Sequence, residues 1–311
     1  MKRWACCVQI RVLIRLLHSL FFCGVMLATH AHAEPFHFAV LMHVLQDSGD
    51  ENELRIALES AQAANPTFIV VNGMRSKREP CTDRLYRQRT ALLESSVAPV
   101  VLSLAGDDWI TCRDRQNRPA PTAWLNLLRD QVYGDISWSG GKHIPLRRQS
   151  SIAAFRNYAE NTRWSIDTIL FATLNVPANN NNYLASAGGN SEFEDRQIAN
   201  RDWLHRLQTQ AQRERKTQIV LFCDGNPLPD ARRKTEPRDG YVELRQQLKN
   251  LAEKSGLKIV VIQGSTPATE KNSGSIIWNG QLGYVNLSTG INMIAVDPTA
   301  ETTFSIVADE P

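Results

Sequence analysis

Four side chains able to do acid–base or metal chemistry follow short apolar runs in this chain. His43 comes after FHFAVLM, the pair Asp107-Asp108 after VVLSLAG, and Asp224 after IVLFC. In α/β proteins ligands and metals gather in the loops at the carboxyl ends of strands. An imidazole and three carboxylates there could hold one divalent cation and activate water, or His43 could serve as a general base. The structural roles open to the same residues are a strand-end histidine bonded to a neighbouring loop and aspartates that cap turns through their own backbone. One further loop breaks the pattern. FIVVNGM ends in Met74, where a polar or acidic side chain is expected, and a thioether suits loop packing better than it suits a hard or borderline cation. The chain contains no GxxxxGK[ST], HExxH, GxSxG or CxxC, so phosphate-loop, zinc-protease, serine-hydrolase and dithiol chemistries find no support.

Alternating strand-like and helix-like segments must carry these loops. Apolar runs at 36–42, 68–72 and 99–104 read as strands. Between them lie a helical face of Leu54, Leu58 and Ala61 behind a start at Asp50, and a second helix over 82–95. This β-α-β-α-β order is the pattern of a parallel sheet. The region 113–163 is less regular, with a helix near 123–131 and a loop rich in Trp, Gly and Arg. A strand at 168–173, an Asn- and Gly-rich loop over 179–190, a helix over 201–212 and a strand at 218–223 follow. A helix over 242–255 shows one apolar face and stops at Gly256, the usual position for a left-handed terminating residue. Short strands near 258–262, 275–278, 282–286 and 291–295 close the chain. A β-rich ending behind a β-α-β start predicts an α/β fold of two packed sheets with helices outside, as one domain over 34–311.

Residues 1–33 read as a secretory signal. Lys2, Arg3, Arg11 and Arg15 form a basic start, Leu16 to Ala28 is mostly apolar, and Ala31-His32-Ala33 is a small-x-small cleavage pattern before Glu34. Cleavage after Ala33 implies a periplasmic or secreted protein with no membrane span. The signal carries four of the 35 Lys and Arg and no acid, so the remaining chain holds 31 basic against 32 acidic residues, a net charge of −1. That balance leaves no nucleic-acid footprint. Three cysteines remain after cleavage. Cys223 ends an apolar run and reads as a small buried hydrophobe. Cys81 and Cys112 lie in loops after strand ends that a parallel sheet can bring together, and are expected to form a disulfide.

Two polar loops allow two readings each. Asn179 to Asn182 can line a pocket with amides or form a solvated tip with left-handed turns. Arg232, Arg233, Lys234 and Arg238 can receive an anion or, interrupted by Asp230, Glu236 and Asp239, form a solvated mixed-charge loop.

The segments FAVLMHVLQDS, FIVVNGMRSKREPCTD, VVLSLAGDDWITC, ENTRW with FATLNVPANNNN, IVLFCDGNP and VVIQGSTPA, taken in order, resemble the calcineurin-like metallophosphoesterases, most closely an exported bacterial branch. The resemblance covers nearly the whole chain after the signal. It implies a four-layer α-β-β-α sandwich with two metal ions on loops at the sheet ends. Such a site needs a bridging carboxylate and several further His, Asp and Asn ligands.

Position by position, the expected ligands are replaced. Met42-His43 stands where the family has an aspartate motif, Gly73-Met74 where it has Gly-Asp with the bridging acid, and Gly106-Asp107-Asp108-Trp109 where this branch has a one-residue-longer acidic motif. Asn175 stands at a histidine position, Asp224 follows the fifth strand, and Gln263-Gly264-Ser265-Thr266-Pro267 replaces an ending that carries two histidines. Asp47 and Asp50 lie too far along their loop to substitute. The resemblance therefore implies an exported, non-catalytic relative with a binding or structural role and no cofactor, and it specifies no partner. The alternative is a divergent phosphoesterase holding one divalent metal on His43, Asp107 or Asp108, and Asp224.

Overall fold

In the computed structural model the described residues are 34–45, 49–133, 144–185, 188–228, 238–265, 274–298, 300 and 303–307. Three β/α steps open the fold. Strand β1 (Phe36–Met42) leads to helix α1 (Glu51–Ala63), β2 (Ile69–Asn72) to α2 (Asp83–Glu94), and β3 (Val100–Ser103), through a single 3-10 turn at Gly106–Asp108, to α3 (Pro121–Gln131). Side-chain caps start the first two helices. Asp50 accepts from the backbone N–H of Asn52 at 2.9 Å, and Thr82 accepts from that of Leu85 at 3.2 Å.

The second half contributes β4 (Arg147–Arg148), β5 (Thr162–Ile166), β6 (Ile169–Thr173), α4 (Ser191–Arg213), β7 (Gln218–Phe222), α5 (Val242–Ser255) and β8 (Lys258–Gly264). It ends with β9 (Ile277–Asn279), β10 (Leu282–Leu287), β11 (Gly290–Val296) and β12 (Phe304–Val307). Helix α5 stops at Gly256, whose φ of 71° is left-handed.

Two mixed sheets result. The first has the order β12-β11-β1-β2-β3, with β1, β2 and β3 parallel and β11 antiparallel to β1. The second has the order β4-β5-β6-β7-β8-β10-β9, parallel from β6 through β10 and antiparallel at both edges. Because strand side chains alternate between faces, the consecutive apolar residues of the central strands feed two cores at once. Phe38, Val40 and Met42 of β1, Val70 of β2, Val220 and Phe222 of β7 and Val260 and Ile262 of β8 meet between the sheets. Their neighbours in sequence face outward: Ala39, Leu41, Ile69 and Val71 toward α1 to α3, and Ile219, Leu221, Ile259 and Val261 toward α4 and α5. The layers are therefore helix, sheet, sheet, helix. Aromatic side chains fill the middle. Phe38 stacks on Phe68 with ring centroids 4.7 Å apart, and Trp164 stacks on Phe171 at 5.6 Å.

The structure departs from expectation in the middle and at the end of the chain. Strand β4 lies in the 113–163 stretch that showed no regular pattern, β5 starts at its end and runs on to Ile166, and neither these strands nor β12 match an expected one. Helix α4 begins at Ser191 rather than near Arg201, because its first half buries Arg196 and Asn200 alongside Phe193 and Ala199, and polar residues on a buried face erase the apolar periodicity. Cys81 and Cys112 are disulfide-bonded, with Cα atoms 5.6 Å apart across a separation of 31 residues, which ties the start of α2 to the turn after β3. On the chain-entropy account such a loop stabilises by about 3–4 kcal/mol. Cys223 is free and buried. Among the described residues no helix is long and apolar enough to cross a membrane.

Candidate functional site

The loops after β1, β2, β3, β6 and β7 converge at one end of the sandwich, and backbone hydrogen bonds stitch them together. Just past β1, His43 adopts a left-handed φ of 50° while its N–H donates to the carbonyl of Asn72 at 3.2 Å. Past β2, Gly73 has a φ of 82°, and its N–H donates to Ser103 at 3.1 Å. This bend turns Met74 inward. Its side chain is fully buried in the core with Leu41, Ile69 and Trp109, so the thioether packs.

Asp108 faces that same bend. Its Oδ1 accepts from the N–H of Met74 at 2.9 Å and its Oδ2 from the N–H of Ala105 at 2.9 Å. The side chain is wholly buried. Burial pushes the Asp108 carboxyl up to about 7, while the two backbone N–H groups pull against that rise. Arg75 reaches across to the carbonyls of Glu79 and Asp107 and to Thr111 Oγ1, so it fixes the backbone of the Asp107-Asp108 turn rather than its carboxylates.

Asp224, at the end of β7, is the centre of the convergence. Its Oδ2 accepts from the N–H of Gly106 at 2.7 Å and from that of Ala178 at 2.7 Å, which joins the loops after β3 and β6. The other oxygen, Oδ1, lies 2.9 Å from His43 Nε2 and has no further partner among the described residues. A side chain at position 106 would meet Pro177 Cβ at 3.1 Å and Asp224 Oδ2 at 3.3 Å, so glycine is what lets these loops close on the carboxylate. Position 225 is tighter still, with Pro177 O and Tyr241 Oη each 2.6 Å from where a Cβ would sit.

The charges respond in opposite directions. Burial alone would lower the His43 pKa, but the neighbouring Asp224, together with Asp107 and Asp108, raises it. Burial alone would raise the Asp224 carboxyl; His43 and the two backbone donors lower it. Asp107, less buried than the other two, is raised by burial and by Asp224. The acids around His43 thus favour its charged form, and His43 in turn favours the ionised form of Asp224.

These shifts set a pH dependence. The imidazole of His43 titrates higher in the fold than its ordinary 6.5, so its contribution is complete below that value and is lost as pH rises through the folded value. Asp108, raised from 3.8 to about 7, favours the folded state while protonated and withdraws that support as pH climbs between the two. Asp224 acts oppositely, and its contribution is lost as pH falls below 3.8 and through its lowered value. Stability is therefore expected to fall as pH rises from about 5 to about 8. Urea midpoints at pH 5, 6.5 and 8 measure it. His43→Gln should flatten the part of the decline above pH 6.5, and an unchanged slope in that variant would remove His43 from the account.

The remaining candidate positions are pinned to structural partners. Gln263 is fully buried, bonded to Asn286 Oδ1 at 2.8 Å and to the backbone of Leu228. Asn175 donates through Nδ2 to Glu160 Oε1 at 2.8 Å, while its own Oδ1 is buried without a partner among the described residues. Around it lies a polar network that the sequence did not mark. Arg129 clasps Glu160 with Nε at 3.0 Å and Nη2 at 2.6 Å, and Asn161 receives the N–H of Asn175 at 2.9 Å. Asn200 donates to Asn175 O at 2.8 Å. Arg196, wholly buried, joins Glu192 to Asn181. The one signal that could have found this network is the Glu192, Arg196, Asn200 spacing along one face of α4.

The Asn loop is left-handed but not a solvated tip. Asn179 to Asn182 have φ values from 54° to 60°. Asn180 and Asn181 are buried, donating to the carbonyls of Arg238 and Gly240, each at 3.0 Å. Arg238 stacks over Tyr183 at 5.2 Å. Asp47, His143, Arg232, Arg233, Lys234, Thr266 and Pro267 lie outside the described residues.

The donors present do not suit two cations. Asp108 has both oxygens committed to backbone N–H groups, Asp224 has one committed twice, Met74 is in the core, and Gln263 is held by Asn286 and Leu228. Among the described residues no group of three or more His, Cys, Asp and Glu is arranged to hold a metal ion. Nor does Cys223 make a nucleophile for His43. Its thiol points at Gly225 O, 3.3 Å away, and burial raises its pKa far above the ordinary thiol range.

No family model matches the chain, and no curated protein does. Among solved structures, a phosphatase from Mycoplasma pneumoniae is similar, with 9% sequence identity and a TM-score of 0.44, covering 89% of this chain and 92% of that one. Identity that low carries no residue-by-residue correspondence.

Proposed function

We propose that this chain is an exported, non-catalytic protein built on a metallophosphoesterase-like scaffold, in which the former metal loops have become a structural clamp. The observation that carries this reading is the use of the acids. Asp108 and Asp224 accept four backbone N–H bonds between them, the role of loop staples, and His43 supplies the positive charge that a cation would otherwise bring. Met74 packs where the bridging acid would be, so two cations would repel each other with too little compensating charge. Export rests on the basic, apolar, Ala-x-Ala order of residues 1–33 and is supported by a disulfide that suits an oxidising compartment.

A single experiment on protein recovered from the exported fraction tests both parts. Its intact mass should correspond to a chain beginning at Glu34. Metal analysis should find no stoichiometric manganese, iron or zinc, and phosphomonoesters and phosphodiesters should not be turned over at an enzymatic rate. Stoichiometric metal with turnover abolished by Asp107→Ala would instead establish the single-metal phosphoesterase. Met74→Asp alone should restore nothing, because Gln263 still stands at a ligand position.

A further inference from the structure

On the edge of the seven-stranded sheet, where β4 and β5 meet α4, lies an open groove of about 500 Å³ whose walls include Arg148, Arg163, Asp202, Trp203, Arg206 and Arg213. It shares no residue with the His43–Asp224 cluster, and its role does not depend on the fate of that cluster. Arg163 projects from β5, with its guanidinium carbon 5.1 Å from the centroid of the Trp203 ring. Its Nε is buried and has no hydrogen-bond acceptor among the described residues. An arginine stacked on an aromatic face is held in place by its carbon and π contacts, which leaves the fork of donors free for a ligand.

The one carboxylate of the lining is already engaged. Asp202 Oδ2 accepts from Arg206 Nε at 2.7 Å and from Gln149 Nε2 at 3.5 Å. Four arginines against one acid leave the lining with a formal excess of three positive charges. Glu214 adds one further acid beyond the lining. It meets Arg213 at 3.5 Å, where that arginine is largely exposed and solvent screens the pair. Arg163 feels the crowding. Burial lowers its pKa, and although Glu214 opposes this, Arg213, Arg206 and Arg147 add to the lowering.

The like charges of Arg163 on β5 and of Arg206 and Arg213 on α4, with the local acid taken, resemble a site missing its counter-ion. A fork of donors on a rigid strand facing two more on a helix suits a compact group with several anionic oxygens. Charge-assisted bonds to such oxygens are about twice as strong as neutral ones. A groove of this size takes a small molecule or a lipid headgroup.

We propose that this groove binds a phosphomonoester dianion, free or borne by a lipid, through Arg163, Arg206 and Arg213. The test titrates the mature protein with inorganic phosphate and with phenyl phosphate by calorimetry, and sediments it with phosphatidylcholine vesicles with and without phosphatidic acid. Saturable binding of at least one probe is expected, weakening as salt is raised. Arg206→Gln/Arg213→Gln should weaken it about tenfold or more. The control Arg84→Gln/Arg87→Gln removes the same charge from exposed positions on α2 and should leave binding unchanged. If the first pair of changes disturbs folding, Arg163→Lys keeps the charge, loses the fork and should still weaken binding. Affinity for the soluble probes assigns a free ligand, and affinity for the phosphatidic acid vesicles alone assigns a lipid. Binding of no probe, or equal losses in the α2 control, would overturn the proposal.

Discussion

Asp224→Ala is expected to destabilise the protein by about 3–5 kcal/mol, measured as the shift in denaturant unfolding. The carboxylate is buried, accepts from Gly106 and Ala178, and pairs with His43, so its removal orphans two backbone N–H groups and leaves an imidazolium among the remaining acids. Asp224→Asn keeps one acceptor oxygen and should cost less than alanine. His43→Gln should cost less again, because His43 is about one-fifth exposed and water can take part of its place. The order of the three separates a clamp from a metal ligand. A ligand would show little stability loss in the metal-free protein and a large loss of bound metal. A clamp shows the reverse. A cost below about 1 kcal/mol for alanine would mean the loops are held by something else.

Arg129→Met is expected to cost a similar amount, about 3–5 kcal/mol, because Glu160 is fully buried and would be left with only the Asn175 amide as a side-chain partner. The double change Arg129→Met/Glu160→Met should recover much of that loss. A buried ion pair roughly breaks even with well-packed apolar side chains, whereas half of one does not. Recovery will be incomplete, because Asn175 Nδ2 loses its acceptor and joins an already unpartnered Oδ1 on the same side chain. Unfolding of the two single variants and the double variant gives the coupling directly. If the double variant is no more stable than Arg129→Met, the pair is not what holds the β6 end in place.

The linear chain determined the order of the central strands and of the helices between them, though not β4, β5 or β12, and the reason is local. Runs such as FAVLM and IVLF are apolar at every position because they feed a core on each face, and that pattern together with Gly256 or Thr82 is readable without knowing any partner. It also determined which residues stand at strand ends, and so placed His43, Met74, Asp107, Asp108 and Asp224 in loops. The disulfide was legible from the same reasoning. Tertiary structure decided which way those residues face. Asp107 and Asp108 are adjacent in sequence, yet only the packing of Met74 against the turn after β3 commits Asp108 to two backbone N–H groups. The buried polar network was hidden for a related reason. Its bonds join residues far apart in sequence, such as Asn161 with Asn200 and Gln149 with Ala199, separated by 39 and 50 residues. Asn, Arg and Glu look solvent-facing until such a partner is present, since burial of a polar group is tolerated only when its hydrogen bonds are met. That is why the first half of α4 and strand β5 escaped the periodicity, and why the arginine groove between them emerges only from the folded chain.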